Sequence, residues 1–360
     1  MQRSLTHAWG RAAAKGLLLA ALTLMMALGS LAAKAAGGSF GGGSGAAGDP
    51  YIVQDAADLN AVRNNLSASY LLAGDIDLAG YDAGDGGGWL PIGDQTNRFT
   101  GLFDGGGHAI KNIAINRTAI QTVGLFGAIG IGGAIQNLGL VGGSIQGDYS
   151  VGGLAGTVYS GGAITNCHNT AAITGNNSTG IGYGAGGIAG YNEGTITNCY
   201  NTGAISGGDP IGGVVGWNNF SGAISSVYNT GPVTSAAECL GGVAGYGLGS
   251  VTNAYNTGAV TGTADYSTVG GVVGCASGAV TNTYNAGTVS ATGAHSSVDG
   301  VGTSLSSTTS SYFDETVNPA LTGAASGATG LTTAQMQQPS SFVIEWTRPS
   351  RGVQAPRWHP

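Results

Sequence analysis

Positive charge is what this sequence most lacks. Only 11 of its 360 residues are Lys or Arg, and none lies between Arg117 and Arg348. A nucleic-acid-binding protein needs a basic footprint, so that class is disfavoured, and so is an electrostatic grip on anionic membranes. Charged residues of both signs amount to 8% of the chain, with a net charge of −7. A surface this poor in charge must be wetted by Ser, Thr, Asn and Gly. After the N-terminal segment no stretch is long and apolar enough to span a bilayer. The apolar runs are three to five residues long, rich in β-branched residues and cut by glycine, which disfavours helix. Catalytic motifs are missing too. There is no HExxH zinc motif, and no Ser or Cys nucleophile has a recognisable partner at motif spacing.

Glycine is abundant, with 70 residues, and it is patterned. GG-aliphatic-x-G occurs at Gly152–Gly156, Gly186–Gly190, Gly212–Gly216, Gly241–Gly245 and Gly270–Gly274. A second phrase, aliphatic-Thr/Ser-Asn/Ser-x-Tyr/His-Asn, begins at Ile164, Ile196, Ile224, Val251 and Val280, in steps of 32, 28, 27 and 29 residues. A third short run follows each time, as at Ala172–Thr174 and Ala259–Thr261. Such a period marks one supersecondary unit stacked many times. Short β-branched runs between Gly and Asn turns predict strands. Three per repeat predict an all-β fold, a right-handed parallel β-helix of about eight coils, roughly 35–45 Å long at the ordinary strand spacing. By phase, three aliphatic ladders (Leu240 and Val243 with their equivalents, Ile164 to Val280, and Ile173 to Val289) form the core. Asn166, Asn198, Asn253 and Asn282 are expected to stack at a bend as an amide ladder that Ser226 interrupts.

These phrases resemble a known family. GGVAGYGLGSVTNAYNTGAV and GGIAGYNEGTITNCYNTGAI are similar to the GLUG repeat of bacterial secreted and surface proteins. Upstream, YLLAGDIDL (70–78), WLPIG (89–93) and FTGLFDGGGHAIKNI (99–113) are similar to the segment that precedes such repeats, and GLTTAQMQQPSSF (330–342) resembles the usual closing segment. The resemblance covers roughly residues 50–342. It implies an exported adhesin-like protein, or an accessory region of a surface protease; no protease domain accompanies it here.

In order along the chain, residues 1–35 read as a signal peptide: Arg3, Arg11 and Lys15 precede an apolar core at Gly16–Leu31, and Ala33-Lys34-Ala35 supplies the cleavage site. Residues 36–49 read as a Gly-rich linker. Residues 50–118 hold the N-terminal cap and first coils, with a short capping helix over Gln54–Asn65 begun by Asp55. Residues 119–313 are the repeat solenoid and 314–342 a closing segment. The tail 343–360 is irregular: it carries Arg348, Arg351 and Arg357 where a final capping strand is expected.

Candidate sites are few. Two aromatic rows recur at coil spacing. Tyr200, Tyr228, Tyr255 and Tyr284 share one phase, which His168 joins; Tyr191, Trp217 and Tyr246 share another. An exposed row could stack on glycan rings or anchor a protein. The second row is the candidate binding surface, and the first is the candidate structural ladder. Asp75, Asp77, Asp82 and Asp85 form an acidic segment that could hold calcium, or serve as turn formers. No other cofactor is expected. Asp148, Asp209, Glu238 and Asp265 fall at nearly one phase before the GG phrase and could make an acidic edge. Cys167 and Cys199 share a phase in neighbouring coils, within disulfide range, or are simply inward apolar residues; Cys239 and Cys275 are expected to stay apart. The sequence reading is a monomeric, non-enzymatic, secreted or cell-surface solenoid. It binds a host or matrix glycan or protein, with no nucleic acid and no membrane segment once the signal is removed. The competing reading is a carbohydrate-active β-helix enzyme, hydrolase or lyase, using the Asp75–Asp104 region.

Overall fold

The computed structural model describes residues 40–176, 183–303, 307–321, 327–338 and 341. The signal segment and the tail after residue 341 lie outside them. The described chain is a parallel β-solenoid of about eight turns. One coil shows the unit: Cys239–Gly241, then Ala244–Gly247, then Ser250–Asn256, then Val260–Gly262. The first two strands of successive coils build two seven-stranded sheets, and the last two join a third, 22-stranded sheet. Pairing is parallel and in register, so like meets like: Leu240 pairs with Val269, Ala244 with Val273, Val251 with Val280 and Val260 with Val289.

Register follows from what each strand must bury. Ile164, Ile196, Ile224 and Val251 are fully buried, as are Ile188, Val214, Val243 and Val272 at the corner between the first two strands. Each contributes about 1.5–3 kcal/mol by leaving water, and each finds cover only on the coils above and below.

The two phrases are coupled at that corner. A Cβ on Gly242 would collide with the Gly271 carbonyl and with the side chain of Asn256, and Gly213 and Gly271 stand in the same way against Asn229 and Asn285. The second phrase's final asparagine fills the space the glycine leaves. Asn169, Asn201, Asn229, Asn256 and Asn285 are completely buried. Their amides join Nδ2 to Oδ1 in one chain of bonds at 2.8, 2.9, 2.9 and 2.8 Å. This is the continuous amide ladder, three residues beyond the one expected. The expected asparagines do sit at a bend. Asn166, Asn198, Ser226, Asn253 and Asn282 all adopt φ between 52° and 54°, a left-handed conformation asparagine tolerates better than other side chains. Their amide contacts are partial, with Asn166 donating to Asn137 and Asn282 to Asn253, each at 3.2 Å.

Both ends are closed. Helix α1 (Ala56–Ala61) starts where expected, with Asp55 accepting from the N–H of Ala57 and Asp58. It buries Leu59, and the turn that follows buries Val62. Residues 40–48, read as linker, are part of this cap: Phe40 stacks on Tyr51 at 4.6 Å, and Gly41 N–H donates to Ile52 O at 2.8 Å. One aromatic ring among the glycines suffices to dock the segment. At the other end, strand Thr329–Leu331 pairs with Tyr312–Asp314. It leads into helix α2 (Thr333–Met336), which begins with a Thr332–Gln335 capping box. Met336 is buried against Tyr255, Tyr284 and Tyr312. The cap expected after residue 342 is thus supplied before it.

Candidate functional site

The aromatic rows have different fates. In the first, His168, Tyr200, Tyr228, Tyr255 and Tyr284 lie face to face, with centroids 4.7–4.9 Å apart and planes within 5° of parallel. Its upper members are covered by Met336 and Leu331. Burial raises the tyrosine pKa values, that of Tyr228 to about 12. This row is a structural ladder.

The second row is more open and less regular. Tyr191 pairs with Trp217 and Trp217 with Tyr246 along the second sheet. Their centroids are 6.2 and 5.0 Å apart, with planes inclined 62° and 51°. All three side chains are partly exposed. Tyr183 adds a fourth ring, 44% exposed, 4.6 Å from Tyr191 and 5.7 Å from Trp217. Sequence phase missed Tyr183 because it lies outside the repeated phrases. Tyr191 is pinned: its hydroxyl donates to Glu193 at 2.8 Å and accepts from Asn219 Nδ2 at 2.7 Å. Trp217 differs, since its indole Nε1 is buried with no hydrogen-bond partner among the described residues.

The GG corner brings a second strand back against the first strand of the coil before it. The Cβ position of Gly245 lies against the Ile211 backbone, and that of Gly274 against Leu240. The turn before each first strand therefore meets the aromatic row. Asp209, Pro210, Glu238, Trp217, Tyr246 and a disulfide line one groove of about 560 Å³. Of the four acids read as an edge, only Asp209 and Glu238 enter it. Asp148 is buried elsewhere, and Asp265 accepts the N–H of Ala294 at 2.7 Å. Asp209 accepts the N–H of Cys239 at 2.6 Å. Burial raises its pKa, and neighbouring Glu238 adds to the rise.

That disulfide corrects the cysteine assignment. Cys239 and Cys275 are bonded, with Cα atoms 5.4 Å apart, while Cys167 and Cys199 are free and buried. The fold-back at Gly274 juxtaposes two residues at opposite ends of their own strands. Cys167 and Cys199 are neighbours, but each thiol turns to the carbonyl two residues before it, Thr165 O and Thr197 O, at 3.2 Å. Burial pushes the Cys167 thiol well up in pKa, which keeps it unreactive.

The acidic segment does not converge either. Asp75 pairs with Lys111 at 2.7 Å. Asp77 accepts from Asn112 and from Ala79 N–H. Asp82 accepts from the N–H of Gly84, Gly86 and Gly88. Asp85 receives both guanidinium nitrogens of Arg117 at 2.7 Å, which holds its pKa down at about 2. These carboxylates close turns and balance cations. Among the described residues no three His, Cys, Asp or Glu side chains gather as metal ligands, so a calcium site at Asp75, Asp77, Asp82 and Asp85 has no geometric support.

Comparison with known proteins places the repeat. The model of the GLUG motif matches residues 147–174 and 181–206. A protein named as a Gly-rich membrane protein from Evansella cellulosilytica is 44% identical over 125 residues, 33% of this chain and 14% of that one. Halomucin from Haloquadratum walsbyi is 40% identical over 147 residues, 38% of this chain and 2% of that one. The chain therefore spans only a small part of the length of these relatives. Among solved structures, a protein from Bacteroides ovatus provisionally described as an immunoglobulin A1 protease aligns over 77% of this chain and 79% of its own, with TM-score 0.50 and 24% identity. An IgA1 protease aligns over 72% of this chain and 21% of its own, with TM-score 0.54 and 19% identity. At that identity the likeness speaks for the fold alone, and it agrees with the solenoid described above. The repeats at residues 147–174 and 181–206 thus carry the GLUG motif.

Proposed function

We propose that the protein is an adhesin-like, non-catalytic solenoid displayed at the cell surface or secreted, which holds a glycan or protein partner on the face carrying Tyr191, Trp217 and Tyr246. The observation that carries this reading is the row of partly exposed rings on consecutive coils, bordered by a groove. Partly exposed Tyr and Trp are the side chains that most often anchor a partner, because they offer large area at small entropic cost. The surface location is supported by the relatives: one is named a membrane protein and the other a halomucin. The non-catalytic part is supported by the acidic segment, whose carboxylates are occupied by backbone N–H groups and cations.

The test is a glycan and matrix-protein array run beside a reducing-sugar release assay. Retention without turnover, abolished by replacing Trp217 and Tyr246 with alanine, is the expected result. Sugar release that disappears in Asp209→Asn or Glu238→Gln would replace this reading with the hydrolase one.

A further inference from the structure

We infer that the groove beside Trp217 and Tyr246 takes an uncharged hexopyranose chain laid along the solenoid axis. This rests on the surface-binding reading above and narrows its partner to one ligand class. Three features of the groove agree on it.

The first is periodicity. Trp217 and Tyr246 occupy paired positions on adjacent strands, with ring centres 5.0 Å apart, and Tyr191 and Tyr183 continue the row toward the N-terminus. One ring per coil gives a track on the scale of one sugar ring per step. A chain lying along the axis meets an aromatic face or edge at each step, and the apolar face of a pyranose suits such a surface. The planes are inclined by 44–75°, unlike the parallel stack of the Tyr200 row.

The second is the polar inventory. The groove offers the carboxyl groups of Asp209 and Glu238. A ligand dense in hydroxyls can donate to these carboxyl groups.

The third is charge. Among the described residues no Lys or Arg lines the groove, so a uronate or sulfate set beside its carboxyl groups meets no counter-charge there. Like charges brought together in this way reject a ligand. The groove is not arranged to hold a cation either. Asp209 already accepts Cys239 N–H, and its burial favours the neutral form of the acid. The Cys239–Cys275 bond forms part of the groove wall and fixes the acid-bearing turn to the strand that follows.

Calorimetric titration of the full chain tests this. The probes are neutral gluco-, manno- and galacto-hexasaccharides, hexagalacturonate and a chitosan hexamer. At least one neutral chain is expected to bind, and Trp217→Ala to weaken it about tenfold or more, as loss of an anchoring tryptophan does. Hexagalacturonate is expected not to bind. Thermal melts check that the variants fold; should Trp217→Ala not fold, Tyr246→Ala and Trp217→Phe carry the test, each expected to weaken binding severalfold. Binding unchanged by every folded variant overturns the inference, as does failure of all neutral chains. Preference for the acidic or the amine-bearing chain, lost in Trp217→Ala, overturns the ligand class but leaves the surface-binding reading standing. If no probe binds and the array is also blank, both fall.

Discussion

At the scale of single residues, two asparagines three positions apart do opposite work. Asn253 is needed for its backbone: φ of 52° is a conformation that glycine also adopts freely. Asn256 is needed for its side chain, which makes four hydrogen bonds in full burial, to Gly258 N–H and O and to the amides of Asn229 and Asn285. Asn253→Gly is therefore expected to change stability by less than about 1 kcal/mol. Asn256→Ala should cost roughly 3 kcal/mol or more, because it strands several buried partners at once. Urea unfolding followed by circular dichroism compares the two, and equal losses would show the buried ladder to be dispensable. Sequence alone did not separate these positions. Both recur through the regular coils, the first broken at Ser226, and the burial that distinguishes them comes from the glycine cleft of the facing strand. The aliphatic and tyrosine ladders were legible for the opposite reason, since their chemistry declares which side of the sheet they occupy.

Among the elements, the corner between the first and second strands governs most of what phase reasoning could not see. Two residues turn the chain so tightly that a strand lies back on its predecessor's partner, and this joins Cys239 to Cys275, 36 residues away. The same fold-back sets Asp209 and Glu238 beside Trp217 and Tyr246. Repeat phase predicts neighbours up and down one sheet, so it pointed to Cys167 with Cys199 and to a single acidic edge. It cannot report which two sheets touch across a corner. The aromatic row itself was legible, but the groove that makes it a candidate site was not. Closing a loop of this length stabilises by roughly 2–4 kcal/mol. Reductant and Cys239→Ser should each lower the thermal midpoint, and the reductant should do nothing further to Cys239→Ser. A chromogenic thiol reagent is expected to find no reactive thiol in the native chain and two after unfolding without reductant, those of Cys167 and Cys199. Four would contradict the bond.

For the whole molecule, stability is a sum over neighbouring coils, each of which covers the apolar ladders of the next. Helix α1 and residues 40–48 close one end; Met336 and its tyrosine cluster close the other. This overall architecture was the most legible part, because the spacing of the GG and Asn phrases survives insertions such as the one before Tyr183. The disulfide ties one coil to the next within the rod, and this gives the molecule a mechanical asymmetry. Pulled from its C-terminus, the chain should peel away a coil at a time, releasing roughly 95 Å of contour for the 28 residues that separate Ile196 from Ile224, for example. At Cys275 the load should pass through the sulfur bridge to Cys239, so the segment between them adds no length until the bridge is cut. Force spectroscopy with and without reductant would show that bypass as a missing run of steps. For a protein anchored at one end and loaded at the other, the bond would act as a shortcut for force: it keeps the looped segment that carries Tyr246 from being drawn out after the distal coils have given way.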